Sequence, residues 1–379
     1  MLSLYRTSMN RCPFRSILTS LIFIISTYAG IAQDSAHVST KNNWFGNMSM
    51  NVFLSAGYSY NLNNPDSRKN QFRIFDFDDN SIKVDVVEIV LKRDANNFND
   101  VGFRMDLTAG SSIPKVARSG GLNIGDLDFH QMYLSYIAAV GNGLRLDFGK
   151  FVTHMGYELI DGYDGYNDNQ TRSFLFGYTI PYTHTGVRIG YSFVENISAM
   201  LMIVNGWDNA IDNNKSKTVC GQIAITPTNG LNLFANMSYG PEKDNNNSDN
   251  RSAFDFVGVY AVNDLLTLGT NIDYGSEPRA TTTGTDASWF GFAGYLRFNI
   301  SKCFSLALRG EQFDDKEGVR TGTIQKLREV TITPEFKPAD HFSVRGDFRM
   351  DKSDKKVFEK GIDLTDTQTT VGVSVLYYF

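Results

Sequence analysis

The sequence predicts an all-β fold, a transmembrane antiparallel β-barrel of about sixteen strands, with fourteen to eighteen compatible with the pattern. Three observations predict it. Segments of about 9–12 residues alternate apolar and polar side chains, the length a tilted strand needs to cross a hydrocarbon layer. Short and long connections alternate strictly along the chain, which a soluble sandwich has no reason to do. After Ala32 no run of about 18 apolar residues occurs, so no helix spans a bilayer. The mean hydropathy of −0.25 does not argue otherwise. In a barrel, half of each strand faces water.

The chain opens with a targeting segment. Arg6, Arg11 and Arg15 form a basic region, Ile17 to Ile25 an apolar core, and Gly30-Ile31-Ala32 a small-residue cleavage site. Translation from Met9 would leave the same layout. The apolar run is too short for a membrane helix. The expected organisation is therefore a signal peptide over 1–32, a periplasmic lead-in over 33–47 and the barrel over 48–379.

The strands follow in order. Val52, Leu54, Ala56, Tyr58 and Tyr60 oppose Asn51, Ser55 and Ser59. Val101, Phe103, Met105 and Leu107 oppose Gly102, Arg104, Asp106 and Thr108. Leu144, Leu146 and Phe148 oppose Arg145, Asp147 and Gly149, and Val187, Ile189, Tyr191 and Phe193 oppose Arg188, Gly190 and Ser192. The same rhythm runs through Leu231–Tyr239, Leu266–Asp273, Phe304–Glu311, Phe342–Met350 and Val371–Phe379. Two segments read poorly: Glu88 interrupts a stripe of Val84, Val86 and Val90, and Ile197 to Val204 is apolar on both faces.

Short connections are expected near 98–100, 141–143, 194–196, 228–230, 262–264, 301–302 and 337–340. Long ones are expected near 61–80, 110–126, 152–183, 206–217, 240–250, 275–287, 314–324 and 351–366. Short turns belong on the periplasmic side and long loops outside, which gives an even strand number with both termini periplasmic. No self-similar repeat points to a solenoid or propeller.

Aromatic residues at 13% with only 9 prolines suit a strand-rich chain with aromatic girdles. A net charge of −5 argues against a nucleic-acid partner. Cys12 leaves with the signal peptide, and neither Cys220 nor Cys303 has metal-ligand spacing. The strand order puts these two near opposite ends of the barrel, so they are predicted not to bridge.

The stretch from Leu144 to Phe193 organises the chain. Its two strands flank about thirty residues rich in Gly, Asp, Asn and Tyr, and loops of that length are usually functional. Glu158, Asp161, Asp164 and Asp168 outnumber Arg172 in it. Arg104, Arg145, Arg188, Arg309, Arg345 and Arg349 all fall on the lumen side of their strands. If the loop folds inward, its acids face a wall of arginines across a narrow aperture, an arrangement by which pores select solutes. The bland alternative is that the arginines pair with Asp106, Asp147, Glu311 and Asp347 and only solvate the lumen.

Asp161 to Gln170 carries carboxylates but lacks calcium-loop spacing, so no metal is expected. Tyr157, Tyr163, Tyr166, Phe174, Phe176 and Tyr178 are read as packing the loop against the wall rather than as a sliding surface for sugars. Catalysis needs a nucleophile beside a base. His154 and His184 lie near threonines, but no serine lies at a recognisable spacing.

FGKFVTHMGYELIDGYD followed by NQTRSFLFGYTIPYTHTGVRIGY resembles the OmpL-like beta-barrel porin family of Bacteroidetes-type Gram-negative outer membranes. The likeness is strongest over roughly 140–195 and extends through FRIFDFDDNSIKV and the terminal VLYYF. It implies a barrel in the cell outer membrane and passive transport of small hydrophilic solutes, without cofactor or catalytic residue. It also implies that the ending at Phe379 is read by the barrel assembly machinery. A monomer and a homotrimer both fit, with lipid around the outer face. Two other classes stay open: a structural or adhesive barrel with a plugged lumen, and an outer-membrane hydrolase.

Overall fold

Alternation along each strand becomes two faces of one closed sheet in a computed structural model that describes residues 47–116, 123–124 and 127–379. The predicted signal peptide and nearly all of the lead-in lie outside those residues. The barrel strands are β1 Ser49–Asn61, β2 Ser81–Arg93, β3 Val101–Ala109, β4 Leu127–Ala138, β5 Leu144–Val152, β6 Thr183–Val194, β7 Ile197–Val204 and β8 Thr218–Thr228. They continue as β9 Leu231–Pro241, β10 Asn250–Ala261, β11 Leu266–Glu277, β12 Ala287–Asn299, β13 Phe304–Asp315, β14 Gln325–Ala339, β15 Phe342–Ser353 and β16 Thr367–Tyr378. Each pairs antiparallel with its sequence neighbours, making a closed 16-strand barrel. A small hairpin, Phe358–Lys360 with Asp363–Thr365, stands in the last long loop.

The seam is formed by β1 and β16, in register from Phe53↔Tyr378 to Asn61↔Thr370. At its short-turn end Val52 and Phe379 exchange backbone bonds of 2.9 Å in both directions. Closure matters because an open edge in hydrocarbon leaves amides and carbonyls without partners, at several kcal/mol each. The Phe379 ring itself is exposed, near His341. Deleting Phe379 should therefore reduce folded outer-membrane barrel more than Phe379→Ala, which keeps the backbone bonds. Both should reduce it more than Tyr60→Ala, read as heat-modifiable band intensity. Equal bands for all three would remove the assembly role.

The two poor strands have physical explanations. In β2 the pairing slips between Ser55↔Val86 and Ala56↔Val84, so Asp85 is an extra residue, a β-bulge. A bulge re-aims every residue beyond it. Ile82 and Val84 point outward, whereas Val86, Glu88 and Val90 are buried on the lumen side. Glu88 thus sits between Val86 and Val90 on the lumen face and leaves the outward stripe of Val87, Ile89 and Leu91 unbroken. In β7, Leu201 and Ile203 face outward, and Met200, Met202 and Val204 pack inside with Tyr133, Phe151 and Cys220. A lumen wall with an apolar patch looks two-faced in sequence.

Cys220 is a free, buried thiol at the outer end of β8, with its Sγ 3.6 Å from Ser238 Oγ. Cys303 lies in the β12–β13 turn at the opposite end. No Cys220–Cys303 peptide should appear in a non-reduced digest analysed by mass spectrometry. Finding one would overturn the strand order.

Candidate functional site: the third loop and the lumen wall

The loop between β5 and β6 runs inward, and most of it is buried. A segment with this many backbone amides can leave water only if the wall supplies acceptors. The wall does so around much of its circumference. Asp255 accepts from Gly156 N–H at 3.1 Å, Asn271 from Tyr157 N–H at 3.0 Å and Glu88 from Tyr163 N–H at 2.5 Å. Asp347 accepts from Thr171 N–H at 2.9 Å, and Asp208, in the connection after β7 rather than in the wall, accepts from Tyr182 N–H at 2.5 Å. The β2 bulge is what turns Glu88 inward to reach the loop.

Inside the loop a short helix, Phe174–Tyr178, begins at Ser173, whose Oγ accepts from Phe176 N–H at 3.0 Å. Glu158 holds that cap by accepting from Ser173 N–H and Oγ–H at 2.7 and 2.8 Å. Glu311 of β13 accepts the next two amides, Phe174 and Leu175, at 2.6 and 3.1 Å. Apolar packing completes the fit. Leu175 lies where a Cβ on Gly291 would come within 2.7 Å, and Tyr157 where one on Gly269 would come within 2.5 Å. Tyr157 also stacks on Tyr295 with centroids 3.9 Å apart. These wall glycines are notches for the loop. The loop aromatics therefore pack, as expected, rather than lining an open slide.

Each of the four loop acids named from the sequence meets a wall arginine. Glu158 bonds Arg309 at 2.5 Å, and Asp161 lies 3.4 Å from Arg345 and 2.8 Å from Arg172. Asp164 meets Arg104 at 2.8 Å, and Asp168 pairs with Arg297. The expectation of acids facing arginines across a gap is corrected: they are in contact. Buried charges cost several kcal/mol each to desolvate and persist only when closely paired and hydrogen-bonded. The loop's acids are what the inward arginines require.

The arginines extend the network. Arg309 also bonds Glu329 at 2.6 Å and Thr171 O at 2.6 Å. Arg345 donates to Asn167 O at 2.5 Å. Arg349 pairs with Asp351 at 2.6 Å and donates to Arg172 O. Arg104 also meets Asp106 at 2.8 Å. Arg145 and Arg188 belong to a separate group: both pair with Asp147, at 3.0 and 2.8 Å, and neither has an ion pair with a loop acid among the described residues.

Arg297, Glu329 and Glu335 were missed in the sequence reading. Arg297 falls two residues from lumen-facing Tyr295, so alternation could have found it. Glu335 bonds Arg297 at 2.7 Å and accepts from Tyr166 Oη at 2.8 Å.

The loop's carboxylates are thus oriented on guanidiniums rather than on one another. Thr153 Oγ1 lies 3.2 Å from His184 Nε2, while His184 Nδ1 is 3.3 Å from Gly206 O, a carbonyl rather than a carboxylate. Burial, and secondarily His184, push the His154 pKa down to about 3, so this ring adds no charge to the loop. Between loop and wall lies a cavity of about 10 Å³ lined by Ser55, Phe75, Asp76, Asp85, Asp161, Gln170, Arg172 and Arg345. It has room for about one water.

Among solved structures, the chain is similar to the outer membrane channel DcaP of Acinetobacter baumannii, at 12% identity and TM-score 0.61, covering 88% of this chain and 97% of that one. It is similar to an anion-selective porin from Comamonas acidovorans at 11% identity and TM-score 0.61, covering 88% and 99%. The trimer form of OmpT, an outer membrane protein of Vibrio cholerae, gives 11% identity and TM-score 0.53 with the same coverages, 88% and 99%. At these identities the likeness concerns the fold. No curated protein sequence matched. The family described as "Putative beta-barrel porin-2, OmpL-like" matches residues 47–379. From the first barrel strand to the terminal phenylalanine, this chain belongs to that OmpL-like family of beta-barrel porins.

Proposed function

We propose that the protein, an outer-membrane porin-type barrel, passes small hydrophilic solutes by passive diffusion through a lumen constricted by its third loop. The observation that carries this reading is the loop itself. It lies inside a polar lumen, with Glu158, Asp161, Asp164 and Asp168 set against Arg309, Arg345, Arg104 and Arg297. Charge pairs at a narrow point set the local potential that a solute must cross. Purified protein in a planar bilayer should give discrete conductance steps. A silent bilayer with correctly folded protein would overturn the reading.

The tightness of the loop favours one alternative, a barrel with a plugged lumen serving a structural or adhesive role. Silence in the bilayer is the result it expects. We read the protein as non-enzymatic, since His184 is buried and its Nδ1 meets the Gly206 carbonyl rather than, among the described residues, a carboxylate. Lipase and protease assays on purified protein test that. The address follows from export after cleavage at Ala32, checked by N-terminal sequencing of the mature protein. A homotrimer, the form named for the OmpT relative, is checked against a monomer by light scattering in detergent.

A further inference from the structure

The outer face of the barrel is not uniform where its strands reach the long-loop side. On β9 to β12 the lipid-facing positions near that rim are Tyr239, Phe254, Tyr274 and Phe290, all exposed and uncharged. On β14 and β15 the corresponding positions are Lys326, Arg328 and Lys352, also exposed. Arg328 and Lys352 are direct partners across the β14–β15 ladder. The next outward pair toward the membrane is Val330↔Met350, exposed by 52% and 46%, and then Ile332↔Phe348. Two residues along each strand, about 7 Å, thus separate the apolar stripe from a cationic patch.

Lys355 and Lys356 in the following loop are exposed as well. The nearby carboxylates are Asp314, which holds Lys326 at 3.2 Å, Asp354, which lies 3.7 Å from Lys355, and Asp366, whose backbone O accepts from Ser353 N–H at 2.8 Å beside Lys352. Arg328 donates through Nε to Gln312 at 2.8 Å. Among the described residues Lys352 has no ion pair. Five cations against three carboxylates leave the patch positive.

These side chains point away from the lumen, so a solute crossing the barrel does not meet them. Cationic side chains at mid-bilayer are costly on a barrel's lipid face, and that cost falls close to zero at the interface. Directly above an apolar stripe, their depth is that of the headgroups. Long stems can lie along the stripe while the charged ends reach phosphate oxygens.

We propose that Lys326, Arg328 and Lys352 form a docking surface for the phosphorylated headgroup of an outer-leaflet lipid. Arg328 offers a planar pair of donors and Lys352 a free ammonium beside it. Acyl chains would run down over Val330, Met350, Ile332 and Phe348.

The test uses the purified mature barrel in mixed micelles with dioleoyl phosphatidate, or with dioleoyl phosphatidylcholine, which has the same chains. Native mass spectrometry reads retained lipid. Wild type should retain phosphatidate over phosphatidylcholine, and the triple variant K326Q/R328Q/K352Q should lose that preference by about 10-fold or more. Because K352Q breaks no bond within the protein, it should lose part of the preference even if the triple variant folds poorly. A control variant, K69Q/K217Q, removes loop lysines elsewhere and should behave as wild type. Equal retention of both lipids by wild type would overturn the proposal, as would an equal loss in the control. Release of phosphatidate by millimolar inorganic phosphate alone would show a phosphate site without lipid docking and would also overturn it.

Discussion

Replacing Glu158 with Gln and Asp161, Asp164 and Asp168 with Asn shifts the reversal potential under a salt gradient toward anions. The four acids balance Arg309, Arg345, Arg104 and Arg297 in the lumen. Neutral amides still accept a hydrogen bond from each guanidinium, so the loop keeps much of its geometry while the balancing charge disappears. The remaining positive potential then acts on any ion entering the constriction. The shift is largest at low salt and fades at 1 M, where the screening length is about 3 Å. The barrel should survive, because the changes lie in the loop and leave the ladder untouched. Its heat-modifiable band serves as the check. An unchanged reversal potential at low salt would mean that the loop is not on the permeation path, and its role would have to be dropped.

Arg309→Met loosens the loop from the wall. Arg309 is the only guanidinium that touches both Glu158 of the loop and Glu329 of β14 among the described residues, and it also holds Thr171 O. Methionine fills similar space but strips the buried Glu158 of its arginine and leaves the buried Glu329 with Arg349 alone, 3.6 Å away. Removing one partner of such a pair costs about 3–5 kcal/mol. The result should be protease cleavage between residues 153 and 182 in folded protein, with noisier or larger conductance. Adding Glu158→Gln should recover part of the loss, because the second change removes one of the stranded charges. Full protease resistance in Arg309→Met, with no recovery to measure, would mean that the amide bonds to Asp255, Asn271 and Asp347 hold the loop unaided.

Much of the barrel was legible without coordinates, since a two-residue side-chain period reports faces directly. That is why Arg104, Arg188, Arg309, Arg345 and Arg349 fall on the lumen side, and why the short and long connections lie where alternation put them. The third loop's importance was legible from its length and acidity. What the sequence could not state was its set of partners. Glu158 and Arg309 are separated by 151 positions, and Asp161 and Arg345 by 184. No local pattern marks a contact that exists only once the sheet has curled through a full turn. The β2 bulge is the other case. One unpaired residue at Asp85 reverses the phase of all that follows, and periodicity read through it assigns Val86 and Glu88 to the wrong faces. Away from such a bulge, the residue types alone showed which side chains share a face, because that depends on backbone geometry from one residue to the next. Only the closed barrel decided that the loop's charges would touch the wall's arginines rather than face them, because burying an arginine requires a counter-ion within hydrogen-bond reach.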